Sequence, residues 1–182
     1  MPDDYAVTPV ALPVESGVRH IYKATNLADA YSIQLPEGAT TNPELLARFI
    51  FSQQSRWVAG LMAVRDVLVA GFRLKTSSQL QKVECAAKAN RVGIFKIYSK
   101  SAHEIILGED DKHLDFRLSV LCQMRSSAMI SPNLTVSTVV HCHNLLGRIY
   151  IFVIAPFHRL IVQSMLRRAA RIGWPKAMPP PT

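Results

Sequence analysis

Four side chains stand out for the chemistry they would support together: His113, Asp115, His141 and His143. The stretches that carry them, His113–Cys122 and Leu134–Cys142, alternate apolar and polar residues with the period of two expected of strands. Paired as an antiparallel hairpin whose opposed residue numbers sum to about 256, they set His141 beside Asp115 and His143 beside His113. Three imidazoles and a carboxylate at one end of a sheet would shuttle protons or bind zinc. A one-residue slip would turn every one of these side chains to the other face. The plainer reading, a solvated polar face without metal, is the one expected here.

A second set lies further on. Pro156-Phe157-His158-Arg159 places His158 either into a cavity beneath a helix or against carbonyls released by the proline. His158, Tyr150 and Arg148 are the candidate catalytic residues, as acid/base or oxyanion partners. Trp57, Phe152, Pro156, Phe157 and His158 are the candidate ligand contacts, and Trp57 and Tyr150 also read as core. Cys142, between two histidines, has the setting of a nucleophile, but it falls on the apolar side of its strand, where a buried thiol is inert. Asp110 and Asp111 are adjacent in a turn and suit turn chemistry better than acid/base work. The chain holds no GxSxG, HExxH or P-loop. No cofactor is expected.

The elements that would position these residues are readable in outline. Ala30–Leu35 alternates as a strand until Pro36-Glu37-Gly38. Asn42 as cap, Pro43 and Glu44 then start a helix whose buried face is Leu45, Leu46, Phe49 and Ile50. A second helix, capped by Ser55, carries the stripe Trp57, Leu61, Val64 and Leu68 and stops at Gly71. Residues 72–91 read only as loop with a short helix or strand. Val92–Tyr98 and His103–Leu107 form a hairpin, followed by a turn at Glu109–Asp111. On the next strand Leu114, Phe116, Leu118, Val120 and Cys122 share one face, and His113, Asp115, Arg117 and Ser119 the other. Leu145–Arg171 is expected as one helix, capped by Asn144 and kinked at Pro156. The alternative is a strand to Ile154 with a helix beginning at Pro156.

Composition limits the class. A chain of 182 residues suits one domain. We expect an extended lead-in at 1–27, a domain at 28–172 and a flexible Pro-rich tail at 173–182. Three cysteines without CxxC spacing make neither a disulfide framework nor a zinc ribbon. The first five residues are polar and acidic, unlike a secretory signal. The longest uncharged apolar run, Ile149–Phe157, has nine residues, against the ~18–20 that span a bilayer. The expectation is therefore a cytoplasmic protein without a transmembrane segment. The net charge of +8 is uneven: residues 144–182 hold six basic side chains and no acid. No aromatic interleaving accompanies them, so nucleic acid is not expected as a partner.

Three stretches carry a family resemblance: Leu107–Arg117 (LGEDDKHLDFR), Asn144–Tyr150 (NLLGRIY) and Ala155–Val162 (APFHRLIV), with Arg56-Trp57 and Arg65-Asp66 in the same pattern. They resemble DUF2867, a bacterial family of domains of unknown function, over roughly residues 25–171. The Gly-Arg-x-Tyr and Pro-Phe-His parts also resemble a domain that follows a nucleotide-binding domain in oxidoreductase-like proteins; no GxGxxG for such a partner domain occurs here. The resemblance implies the polyketide-cyclase-like, START-related helix-grip superfamily. That is an α+β fold in which a mainly antiparallel curved sheet wraps a long C-terminal helix, with a helix pair after the first strand. It implies a possible ligand cavity and no established activity.

Three functions follow as expectations. The first is a binding module for a small apolar molecule held between sheet and C-terminal helix, reached near Pro156. The second is an enzyme of cyclase, isomerase or hydrolase type working in that cavity. The third is an interaction protein whose basic helix docks on an acidic partner or an anionic membrane.

Overall fold

The computed structural model describes residues 6–52, 90–123 and 131–177. The predicted second helix with Trp57, and most of the unread segment after it, lie outside the described residues.

The described chain is α+β. Seven strands form one curved sheet: β1 (Thr8–Val10), β2 (Leu27–Gln34), β3 (Arg91–Val92), β4 (Phe95–Lys100), β5 (Glu104–Asp110), β6 (Leu114–Gln123) and β7 (Asn133–Cys142). Their order is β1-β2-β7-β6-β5-β4-β3, and each pairs antiparallel with its neighbours. Two helices complete the described structure, α1 (Pro43–Ser52) and α2 (Leu145–Ile172). β7 lies between β6 and β2, because the last strand returns to pair with the first long one. The expected register holds: Asp115 opposes His141 and Leu114 opposes Cys142. His143 N–H donates to the His113 carbonyl at 2.9 Å.

One face of the sheet carries the main core. Leu118, Val120, Leu134, Val136 and Ile33 meet Leu46 and Ile50 of α1 and Ile161, Met165 and Leu166 of α2. Asn42 caps α1 as expected, its Oδ1 accepting from Glu44 and Leu45 N–H. Leu45 is exposed rather than buried, since Pro43, Leu46, Ala47 and Ile50 already fill the inward side of the helix.

The opposite face corrects the expectation of a solvated surface. Arg117 is 8 % exposed and Ser119 is fully buried. The cause is the lead-in: Val18 packs on Ile106 and Val139, with Leu12, Tyr22 and Tyr98 around them, so this segment lies across the face. Both sides of β6 are therefore covered, and only Asp115, Phe116 and Gln123 on it are half-exposed.

α2 is one continuous helix through Pro156. Its start is fixed twice, by Asn144 Oδ1 accepting from Gly147 N–H at 3.1 Å and by Gly147 lying on the His113 carbonyl and the Cys142 side chain. Gly173, with φ 100°, ends it. The first residues of the expected free tail are tied back, with Thr40 N–H donating to the Pro175 carbonyl and Ala177 N–H to that of Gly38. Trp174 is buried beside Phe49.

Replacing a helical glycine by alanine usually stabilises a helix by about 1 kcal/mol. Gly147→Ala is expected to do the reverse here, losing about 1–3 kcal/mol in urea unfolding, because a Cβ would enter the His113 carbonyl. A gain in stability would show that the start of α2 is not seated on the β6–β7 hairpin.

Candidate functional site

Two polar constellations occupy the structure, and they differ in how their carboxylates are met. The first lies under the lead-in. Glu104 on β5 points outward from the core face and accepts from Ser16 Oγ at 2.6 Å, Ser119 Oγ at 2.5 Å and Gly17 N–H at 3.0 Å. Next to it, the Arg117 guanidinium stacks 3.6 Å from the Tyr98 ring centre and pairs with Asp110 at 2.7 Å. Tyr98 Oη–H donates to the same carboxylate at 2.7 Å. Burial would raise the Asp110 pKa, but hydrogen bonds from Arg117 and Tyr98 outweigh it and hold the carboxyl below its usual range. Burial pushes Tyr22 up to about 12, against the pull of Arg117.

The predicted histidine cluster borders this network. His143 Nε2 is 3.1 Å from Asp115, and the His141 and His143 rings meet edge to face at 5.3 Å. His141 stacks on Tyr22 and reaches the Ala24 carbonyl at 2.8 Å. His113 stands apart: its Nδ1 is 3.0 Å from Asn144 Nδ2, at the cap of α2. Pleat geometry thus brings three of the four together. Among the described residues no three His, Cys, Asp or Glu side chains are placed to hold a metal ion. These groups fasten the lead-in to the sheet.

The second constellation centres on Asp29, in the middle of β2. Its register opposite Thr138 turns the carboxylate to the helix side of the sheet. There Oδ1 lies 3.5 Å from His158 Nε2 and Oδ2 lies 3.8 Å from Arg159 Nε, both on α2. These distances give electrostatic attraction without hydrogen-bond geometry. Both Asp29 oxygens and His158 Nε2 are buried with no hydrogen-bond partner. Tyr31, two residues along the strand, has its pKa raised by burial first and by the Asp29 charge second.

Asp29, whose carboxylate oxygens are buried toward α2, is also one of the residues along an open groove of about 440 Å³. Apolar Val10, Ala11, Leu12 and Ala28 line it together with polar Arg19 and His20. Its size lies within the range of small-molecule sites. The sequence pointed instead to an enclosed cavity under α2. This groove lies beside the β1–β2 edge and is open to solvent.

The other candidates are scattered. Phe152 is 83 % exposed and Phe157 43 % exposed, on the outward side of α2, and Pro156 is exposed beside them. They face away from the sheet because Ile151, Ile161 and Val162 already take the inward side. Tyr150 is half-buried against the Leu114–Ile151 cluster, and Arg148 is exposed. Arg148 and His158 are ten residues apart on one helix, about 15 Å, so the three catalytic candidates do not converge. Only His158 keeps a place in a site. Its partner Asp29 went unread because the strand was taken to begin at Ala30. The available signal was a lone acid inside an otherwise small and apolar stretch, Leu27-Ala-Asp-Ala-Tyr31.

Cys142 is buried among Leu114, Val140 and Ile151. Burial raises its pKa, with Arg148 pulling weakly the other way, and burial alone pushes Cys122 up to about 11. In a Cys85→Ser background, neither thiol is expected to react with a disulfide reagent at pH 8 until the protein is unfolded. Stoichiometric labelling of the folded protein would restore Cys142 as a nucleophile.

No curated protein and no solved structure matches the chain. A family model described as "Protein of unknown function (DUF2867)" matches residues 21–165, from the end of the lead-in through β2 and the sheet into the last third of α2. The chain belongs to that family.

Proposed function

We propose that the chain is a cytoplasmic binding module for a small molecule with an apolar body and a hydrogen-bond-donating head. We read its fold as helix-grip, of the START-related type. The ligand's head meets Asp29 where β2 meets α2. The observation that carries this reading is the Asp29 carboxylate, buried and without a hydrogen bond between two basic side chains. Native structures pair almost all such groups, because an unmet buried carboxylate costs several kcal/mol. A hydroxyl or amine donor would meet it. His158 and Arg159 flank the carboxylate at 3.5 and 3.8 Å and leave its lone pairs without a hydrogen bond. The two free buried thiols suit a reducing compartment.

The Asp29–His158 contact favours a second reading, in which His158 is an acid/base group in the same place. The two readings part on what becomes of the ligand: a binding module returns it unchanged, an enzyme returns it altered in mass or connectivity.

Native mass spectrometry of protein purified from its own cells, with an apolar dye displaced by long-chain alcohols and amines, tests the proposal. Asp29→Asn is expected to weaken donor-headed ligands roughly ten- to a hundredfold, the worth of one charge-assisted hydrogen bond. It should leave an alkane of equal length unaffected. Equal affinities in wild type and variant across the series would overturn it.

A further inference from the structure

The side chains that α2 leaves in solvent form a pattern. Leu145, Ile149, Phe152, Val153, Phe157 and Leu160 are all exposed. At 100° per residue they fall within an arc of about 140°. The buried Ile151, Ile161, Val162, Met165 and Leu166 occupy the opposite side. Beyond Leu160 the same outward arc continues as Arg167 and Arg171, with Arg168 at its margin, and Arg148 and Arg159 run along its other margin. All five arginines are exposed. No acid occurs anywhere from Asn144 to Thr182. The outside of this helix is therefore apolar for four turns, basic for the next three, and edged with arginine.

From this juxtaposition we infer that α2 docks lengthwise on an anionic lipid bilayer, its first half sunk among the acyl-chain ends and its arginines at the phosphates. Charge complementarity selects the partner. A second copy would bring one row of arginines against another, with no carboxylate on either helix to compensate. A convex apolar ridge also needs a surface that conforms around it, which fluid lipid supplies. By length and composition α2 would even cross a bilayer, and only 22 % of its most apolar stretch is buried. Its second half, however, is held in the protein core through Ile161, Val162, Met165, Leu166 and Ala169. The helix therefore lies on the membrane, and Phe152, the most exposed of the ridge, reaches deepest.

Co-sedimentation with vesicles of phosphatidylcholine and phosphatidylserine (7:3) and of phosphatidylcholine alone, in 0.15 M salt, decides the matter. The wild-type chain is expected to partition strongly to the first and weakly to the second. Ile149→Ser with Phe152→Ser should reduce partitioning at least tenfold, since each apolar side chain contributes well over a factor of ten when fully buried. Arg167→Gln with Arg168→Gln should reduce it about thirtyfold. All four positions are exposed and none lines the Asp29 groove, so thermal unfolding and ligand binding should be unchanged. Three results would overturn the inference. Wild-type protein left in the supernatant of both vesicles is one. Equal binding by the Ile149/Phe152 variant, which would leave bulk charge as the sole attraction, is another. The third is a wild-type dimer that the same variant converts to monomer, which would assign the ridge to a second copy of the chain.

Discussion

The position of β7 governs the rest of the molecule. It pairs with β2 on one side and β6 on the other, through long uninterrupted registers on both. Those two registers decide which side chains of three strands face the helices and which face the lead-in. Shifting β2 by one residue would carry Asp29 to the other face and Ala28 or Ala30 into its place. The β6–β7 end also decides where α2 begins, because Asn144 and Gly147 seat on His113 and Cys142. From that anchor His158 lies fourteen residues along, about 21 Å. That distance brings it over Asp29. The meeting of a strand carboxylate and a helix imidazole, far apart in the chain, is thus a consequence of two strand registers and one helix cap.

The two faces of the sheet settle their carboxylates differently, and the contrast sets Asp29 apart. Beneath the lead-in, Glu104 and Asp110 are each met by several donors, and the Arg117 guanidinium lies between an aromatic ring and a carboxylate. The oxygens of both carboxylates are met even though Tyr22 Oη, Arg117 Nε and Ser137 Oγ nearby have no hydrogen-bond partner, and an unmet charged oxygen in a low dielectric costs more than a bond returns. Asp29 has neighbours of the right charge at distances too long for hydrogen bonds. A fold that satisfies carboxylates closely on one face leaves one unsatisfied on the other. That asymmetry points to a binding role for Asp29.

Much of this was legible from periodicity and caps. The alternation in His113–Cys122 and Leu134–Cys142 separates the two faces of β6 and β7, the register assumed for their pairing is the one found, and Asn42 and Asn144 mark the helix starts. These signals are local, arising from pleat geometry and from backbone N–H groups that need an acceptor. What stayed hidden is nonlocal. Residues 12–24 have no period, so nothing in them announces that Val18 will be fully buried against Ile106 and Val139. The apolar residues around 149–157 suggested partners on several sides and hence a cavity. Periodicity measures how much of a helix is apolar, and it is silent on whether protein, ligand or lipid covers it. Asp29 was missed for a related reason: its meaning comes from β7 and α2, more than a hundred residues away.

The charge distribution gains its meaning only after folding. Among the described residues, several acids of the N-terminal and central chain are paired within the protein: Glu44 with Arg48 and Lys100, Glu109 with Arg91, Asp110 with Arg117. Hydrogen bonds from Lys100 and then Arg48 hold Glu44 below the ordinary glutamate range. These pairs neutralise basic residues of the sheet and α1, whereas on α2 Asp29 meets only His158 and Arg159 among the described residues, and the helix's own segment has no acid. The +8 net charge is consequently weighted toward one helix, on the side facing away from the core. An even scatter of the same arginines would have served solubility alone. Gathered around an exposed apolar ridge, they make that surface of the molecule at once hydrophobic and cationic, a pairing that ordinary solvation does not require and anionic interfaces reward.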